Sequence, residues 1–169
     1  MTNARPKALI GLGSNKSWCG FDSPSIIWRA ARALETLGTE VHLSPLYKSP
    51  AWPDPSAPAY TNAVAVLATS LQPEALLMAL LSIEAGFGRL RSDDPAERYA
   101  PRTLDLDLLA LGCATRETPE LRLPHPAIAE RDFVLLPLQD VAPAWTHPVT
   151  GASVAEMIDA LPVITAERL

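Results

Sequence analysis

The sequence predicts an α+β fold, on three observations. Short apolar or alternating runs at residues 8–12, 40–47, 60–69 and 103–111 have the length and composition of strands. Two longer stretches, 24–37 and 73–87, repeat apolar residues at helical spacing. The two kinds interleave as β-α-β-β-α-β, the order of the ferredoxin-like split β-α-β arrangement.

Each element has its own warrant. Ala8-Leu9-Ile10-Gly11-Leu12 is apolar enough for a buried first strand, and Gly13-Ser14-Asn15 then turns the chain. Ser23-Pro24 fits an N-cap followed by proline at the first helical position, where the missing N–H is no loss. Ile27, Ala30, Ala31, Leu34 and Leu37 follow on one helical face until Gly38 supplies a stop. Val41 and Leu43 alternate with His42 and Ser44, which predicts the second strand over Glu40–Tyr47. Pro50, Pro53, Pro55 and Pro58 cannot fill a central strand, so residues 49–59 form an extended, semi-rigid loop, either a functional one or an exposed connector.

Tyr60 to Thr69 is the third strand. The second helix opens at Leu71-Gln72-Pro73-Glu74, carries Leu76, Leu80, Ile83 and Phe87 on one stripe, and should present Arg89 and Arg91 on its last turn. Past the acidic loop 92–97, Thr103–Leu111 is the fourth strand and ends at Gly112. Leu121-Arg122-Leu123 reads as a short edge strand, residues 133–138 as a further apolar run, and Ser153–Leu161 as a final short helix. The 169 residues suit one domain spanning 1–169, long enough to bury a core without staples.

Composition excludes several classes. A net charge of −5 argues against a nucleic-acid protein, whose surface would be basic. Cys19 and Cys113 have neither a C-x-x-C neighbour nor His/Cys spacing, so neither zinc nor a disulfide is expected and both read as buried or inert thiols. No apolar run approaches membrane-spanning length and the start lacks a signal-peptide core, which gives the expectation of a cytoplasmic protein without membrane partners.

The chemistry concentrates in Arg98-Tyr99-Ala100-Pro101-Arg102-Thr103-Leu104-Asp105-Leu106-Asp107. Side chains at i and i+2 of a strand share a face, so Leu104, Leu106 and Leu108 enter the core while Asp105 and Asp107 stand together opposite them. Adjacent carboxylates repel, and a hard cation between them relieves the repulsion; Mg²⁺ held by carboxylates and substrate phosphates is the common form. An isolated D-x-D is more often a solvated strand face. Here Pro101 stiffens the approach, Arg102 is held close, and Arg89, Arg91, Arg98 and Arg102 fall within fourteen residues, which points to phosphate.

This stretch resembles the signature of the 6-hydroxymethyl-7,8-dihydropterin pyrophosphokinases of folate biosynthesis. Further family-like segments occur in order at Ile10–Asn15, Ser44–Pro50, Tyr60–Ala63, Glu84–Arg91, Pro124-His125-Pro126 and Arg131–Leu135. The resemblance implies a three-layer α-β-α sandwich with additional strands. It also implies transfer of pyrophosphate from ATP to the pterin alcohol with release of AMP, by an enzyme that is often a monomer.

By that resemblance Asp105 and Asp107 bind two Mg²⁺ ions, and Arg89, Arg91, Arg98, Arg102, His125 and Arg131 face ATP, with Arg89 and Arg102 catalytic. Tyr60 and Phe133 sandwich the pterin, Asn62 reads its edge, and Ser49, Pro50 and Trp52 complete the rim. No P-loop pattern is present, so ATP depends on the arginines and metal. The family pattern is departed from at the longer acidic loop 92–97, at Tyr99 where tryptophan is common, and at Leu81, a position polar in some relatives. Two other classes share parts of the pattern: a metal-dependent sugar-nucleotide transferase, for which the chain is short, and a ligand-binding domain without turnover.

Overall fold

The computed structural model describes residues 5–51, 53–90 and 100–169. In chain order its elements are β1 (Lys7–Ser14), α1 (Ser23–Leu34), β2 (Thr39–Leu43), β3 (Tyr47–Ser49), β4 (Tyr60–Ala68), α2 (Pro73–Gly86), β5 (Asp105–Leu111), β6 (Arg116–Glu117), β7 (Arg122–Leu123), α3 (Asp132–Val141), α4 (Val154–Asp159) and β8 (Glu167–Arg168). The main sheet is antiparallel in every pairing, in the order β5-β1-β4-β3-β8, with β2 also on β4. β6 and β7 form a separate two-stranded sheet.

Alternation along the strands sorts the side chains into two cores. Ala8, Ile10, Leu12, Ala63, Ala65, Leu67, Leu106 and Leu108 pack beneath the apolar faces of α1 and α2. Leu9, Val64, Val66, Leu109 and Ala110 face the other way, under α3 and α4. Leu9 pairs with Ala110 but Ile10 with Leu108, so Leu109 is the extra residue of a β-bulge, and it enters the second core together with Ala110.

Several sequence expectations are refined. The cap of α1 is Asp22, whose carboxylate accepts from the Ser25 N–H, one residue before the expected Ser23. The expected second strand is broken into β2 and β3 at Ser44-Pro45. There Ser44 donates its N–H to Val64 O while its hydroxyl accepts from the Val64 N–H, so a side chain replaces the ladder carbonyl. The apolar run at 133–138 belongs to helix α3, despite Pro137 inside it. Serine and glutamate form a reciprocal capping box on α4 through Ser153 and Glu156. Of the two readings of Cys19 and Cys113, buried or inert, burial is ruled out: both are free and exposed, because they lie in turns outside the two cores. Among the described residues no helix is long and apolar enough to cross a membrane.

Candidate active site

Three adjacent strands change character in step along one face of the sheet. The register aligns Leu9 with Val66 and Ala110, Gly11 with Val64 and Asp107, and Gly13 with Asn62 and Asp105. The first row is core under α3; the last is polar. Continuing outward, Tyr60 pairs with Ser49, and Asn62 with Tyr47. Asp105, Asp107, Asn62, Tyr60 and Ser49 therefore share one surface with two glycines between them.

Those glycines leave room. A Cβ on Gly13 would lie 3.5 Å from Asn62 Oδ1, 3.7 Å from the Tyr60 ring and 3.9 Å from Asp105 Cβ. One on Gly11 would lie 3.7 Å from Asp107 Cβ. Glycine thus gives a floor on which a flat ligand can lie beside the carboxylates. Asn62 is buried and donates its Nδ2 to Ser49 Oγ at 2.9 Å, which fixes the amide so that Oδ1 faces over Gly13.

The carboxylates are as the sequence places them: Leu104, Leu106 and Leu108 are buried, while the Asp105 and Asp107 side chains keep 25% and 38% of their exposure. Arg102 Nη1 contacts Asp105 Oδ2 at 2.8 Å, Arg89 Nη2 lies 3.5 Å from Asp105 Oδ1, and Arg131 Nη1 lies 3.4 Å from Asp107 Oδ2. Burial, then the Asp105 charge, raises the Asp107 carboxyl above its ordinary range. Burial would lower the Arg102 guanidinium, but Asp105 outweighs it and the net shift is upward. The Tyr60 phenol is raised by burial and feels Arg102, Asp105 and Arg89, so it belongs to the same electrostatic cluster.

His125 is positioned by its backbone, donating its N–H to Leu109 O at 2.8 Å. Its Nδ1 accepts from the Ala127 N–H at 3.1 Å, so the neutral ring carries its proton on Nε2. Burial lowers its pKa, against the pull of Asp107. Arg131 and Phe133 flank the start of α3, with the guanidinium 5.7 Å from the Phe133 ring centre. Phe133 and Tyr60 are half-buried, and Pro50 is exposed. Trp52, Arg91, Arg98 and Tyr99 lie outside the described residues, as does the loop 92–97.

Arg89 is not on the last turn of α2. The helix stops at Gly86, Phe87 caps it, and Gly88 takes φ +73 before Arg89. A Cβ on Gly88 would meet Trp18 Nε1 within contact distance, so both the backbone conformation and the Trp18 ring require glycine in the turn that aims Arg89.

Two residues that the sequence left without a role hold the site together. Asn15 exchanges two hydrogen bonds with Arg102, its N–H donating to Arg102 O at 3.0 Å and its Oδ1 accepting the Arg102 N–H at 2.7 Å. Its Nδ2 donates to Pro58 O at 2.9 Å, tying in the proline-rich loop. Glu84, 1% exposed on α2, accepts the Leu106 N–H at 2.7 Å. That amide lies on the outer side of β5, an edge strand, so the carboxylate finishes the edge between the two aspartates. A glutamate at the stripe spacing, four residues after Leu80, was the available sequence signal.

Residues 9–143 match the family described as 7,8-dihydro-6-hydroxymethylpterin-pyrophosphokinase. The chain is similar to the 2-amino-4-hydroxy-6-hydroxymethyldihydropteridine pyrophosphokinase of Synechocystis sp., at 39% identity over 90% of this chain and 74% of the relative. Its similarity to the enzyme of the same name from Pseudomonas aeruginosa is 38% identity over 96% of each. Among solved structures, the crystal structure of Plasmodium falciparum HPPK-DHPS wild type with STZ-DHP superposes with a TM-score of 0.67 at 14% identity, a likeness of fold. That match covers 93% of this chain but 41% of the longer Plasmodium chain. The chain belongs to the 7,8-dihydro-6-hydroxymethylpterin-pyrophosphokinase family and is an enzyme of folate biosynthesis.

Proposed function

We propose that this enzyme transfers pyrophosphate from ATP to the hydroxymethyl group of 6-hydroxymethyl-7,8-dihydropterin, releasing AMP, at the polar end of β1, β4 and β5. The observation that carries the reading is the aligned row Gly13, Asn62 and Asp105, which joins a flat floor, an amide edge and a carboxylate flanked by arginines. A pterin is a flat ring with an amide-like rim, so Tyr60 and Phe133 supply its stacking faces. Asn62 Oδ1 is left to accept from the rim, and Ser49, Pro50 and Trp52 border it.

Asp105 and Asp107 suit a cation: they are neighbours on one face, partly exposed, and Asp107 is held above its ordinary range by burial and by the Asp105 charge, which a cation between them would offset. They would hold Mg²⁺, which when bound neutralises phosphate oxygens and lowers the pKa of the pterin hydroxyl. The arginines do the rest. Arg89, Arg102 and Arg131 each lie against an aspartate, and phosphate oxygens offer their forks an equivalent partner. Arg91 and Arg98 join them by resemblance, and His125 offers its Nε2–H to the same phosphates. As the alcohol oxygen bonds to the β-phosphorus and the bond to the departing AMP breaks, Arg89 and Arg102 meet the developing charge. No protein base is assigned.

The proposal also takes in two Mg²⁺ ions per site, one domain over 1–169, and ferredoxin-like topology, which the β5-β1-β4 order with β2 and β3 sharing the next position supports. A monomer is proposed from the family resemblance, and a cytoplasmic location from the want of any helix, among the described residues, long and apolar enough to cross a membrane. The deciding experiment is product analysis: AMP formed only in the presence of hydroxymethyldihydropterin and Mg²⁺ is expected, and ATP cleavage indifferent to the pterin would overturn the reading.

A further inference from the structure

Segment 165–169 lies beyond the stretch that matches the family, yet it fastens two walls of the site. Its anchor is Asp132, 8% exposed at the start of α3. Asp132 Oδ2 accepts the Thr165 N–H, the Thr165 hydroxyl at 3.0 Å and the Ala166 N–H at 2.8 Å, while Oδ1 accepts the Phe133 N–H at 2.7 Å. From there the segment runs on as β8. Glu167 and Arg168 pair with Lys48 and Tyr47 of β3, and the Leu169 N–H donates to Leu46 O at 2.9 Å. A second tie runs parallel: the Tyr47 hydroxyl donates to Asp140 Oδ2 of α3 at 2.6 Å, with Arg168 Nη1 at 3.9 Å from the same carboxylate.

The two ends of this strap adjoin site residues directly. Phe133 follows Asp132, and its N–H is one of the four donors to that carboxylate. Ser49 follows Lys48 on β3 and holds the Asn62 amide. A buried carboxylate saturated by donors from two segments fixes their separation, because moving either strands a charge away from its partners. Nothing in the arrangement touches Asp105, Asp107 or the arginines bonded to Asp105.

We propose that Asp132 is a positioning residue for the pterin: by clamping segment 165–169 between α3 and β3, it sets the gap between Phe133 and the Ser49–Asn62 pair. The inference rests on the reading that Phe133, Tyr60, Asn62 and Ser49 hold that ring. It makes the strap chiefly a determinant of pterin affinity; ATP feels it only through Arg131, which adjoins Asp132 at the start of α3.

The test is calorimetric titration of wild type, Asp132→Asn, Asp132→Ala, Thr165→Val and Phe133→Ala, using a nonhydrolysable ATP analogue alone, then a nonreactive pterin in its presence, with thermal unfolding of each. Asp132→Ala should weaken the pterin about tenfold, the scale of a buried carboxylate's hydrogen bonds, with a much smaller loss for the analogue, which meets this helix start only through Arg131. Asp132→Asn keeps one acceptor and should fall between, and Thr165→Val, which removes one donor, should sit closest to wild type. Should Asp132→Ala not fold, the Asn and Val variants carry the same ordering. Unchanged pterin affinity in a folded Asp132→Asn, or equal loss for both ligands, overturns the clamp. Phe133→Ala separates the two readings: if it weakens the pterin while the Asp132 variants do not, only the clamp fails, and if it leaves the pterin unaffected, the pocket reading fails and the clamp with it.

Discussion

Asp105 and Arg102 are held by one short ion pair, yet they answer to different substitutions. Asp105→Asn and Asp107→Asn keep shape and lose charge, and because both side chains are partly exposed the fold should survive. Turnover should fall steeply and the residual activity should need more Mg²⁺; a Mg²⁺ titration that superposes on wild type would remove the metal assignment. Arg102→Ala should raise the barrier by about 2–4 kcal/mol, the scale of losing one preorganised charge-stabilising donor. Lysine should restore only part of it, since a point charge cannot reproduce the planar fork. Single-turnover kinetics check this, the expected defect lying in the chemical step and not in ATP dissociation.

Elements hold these residues through contacts that do not touch substrate. α2 is pinned to the carboxylate strand by Glu84, whose loss would strand the buried Leu106 N–H between Asp105 and Asp107. Glu84→Ala should reduce unfolding free energy by about 1–3 kcal/mol, read by urea titration, and should cut activity beyond the fraction unfolded because β5 loses its outer partner. β3 is held to α3 by Tyr47. Burial first, and then its bond to Asp140, push this phenol from 10.0 up to about 12. A folded pKa above the unfolded one contributes stability that is complete below pH 10 and is lost as pH rises toward 12. Tyr47→Phe should therefore be less stable than wild type at pH 8, with the difference shrinking between pH 10 and 12 in denaturant titrations; a constant difference across that window would show that the hydroxyl does not titrate with folding.

Across the whole molecule, Asn15 gathers three distant segments: the end of β1, the approach to Arg102 and the loop before Tyr60. It is 7% exposed, so its amide has little water to fall back on. Asn15→Ala should lose about 1–3 kcal/mol of stability and, more tellingly, should lower kcat and raise pterin KM together. Steady-state kinetics beside thermal unfolding distinguish this from general destabilisation, which would reduce active enzyme without moving KM.

Local chemistry determined much of this protein. Periodicity placed the strands and both large helices, since alternation and helical spacing are properties of the chain itself, and the Asp105/Asp107 face follows from the period of two. What escaped depends on contacts distant in sequence. The break at Ser44-Pro45, the strand pairing of 167–168 and the helix through Pro137 are settled by partners on β4, β3 and the second core. Glu84 and Asn15 stand in segments the sequence singles out, but their partners were not legible, because each meets its partner only once β5 lies beside α2 and residue 102 lies beside the end of β1. The sequence by itself determined which residues carry the charge and which face they share. Only the tertiary structure decided the aligned row of Gly13, Asn62 and Asp105, because strand register is set by packing on both faces of the sheet, which no single strand contains.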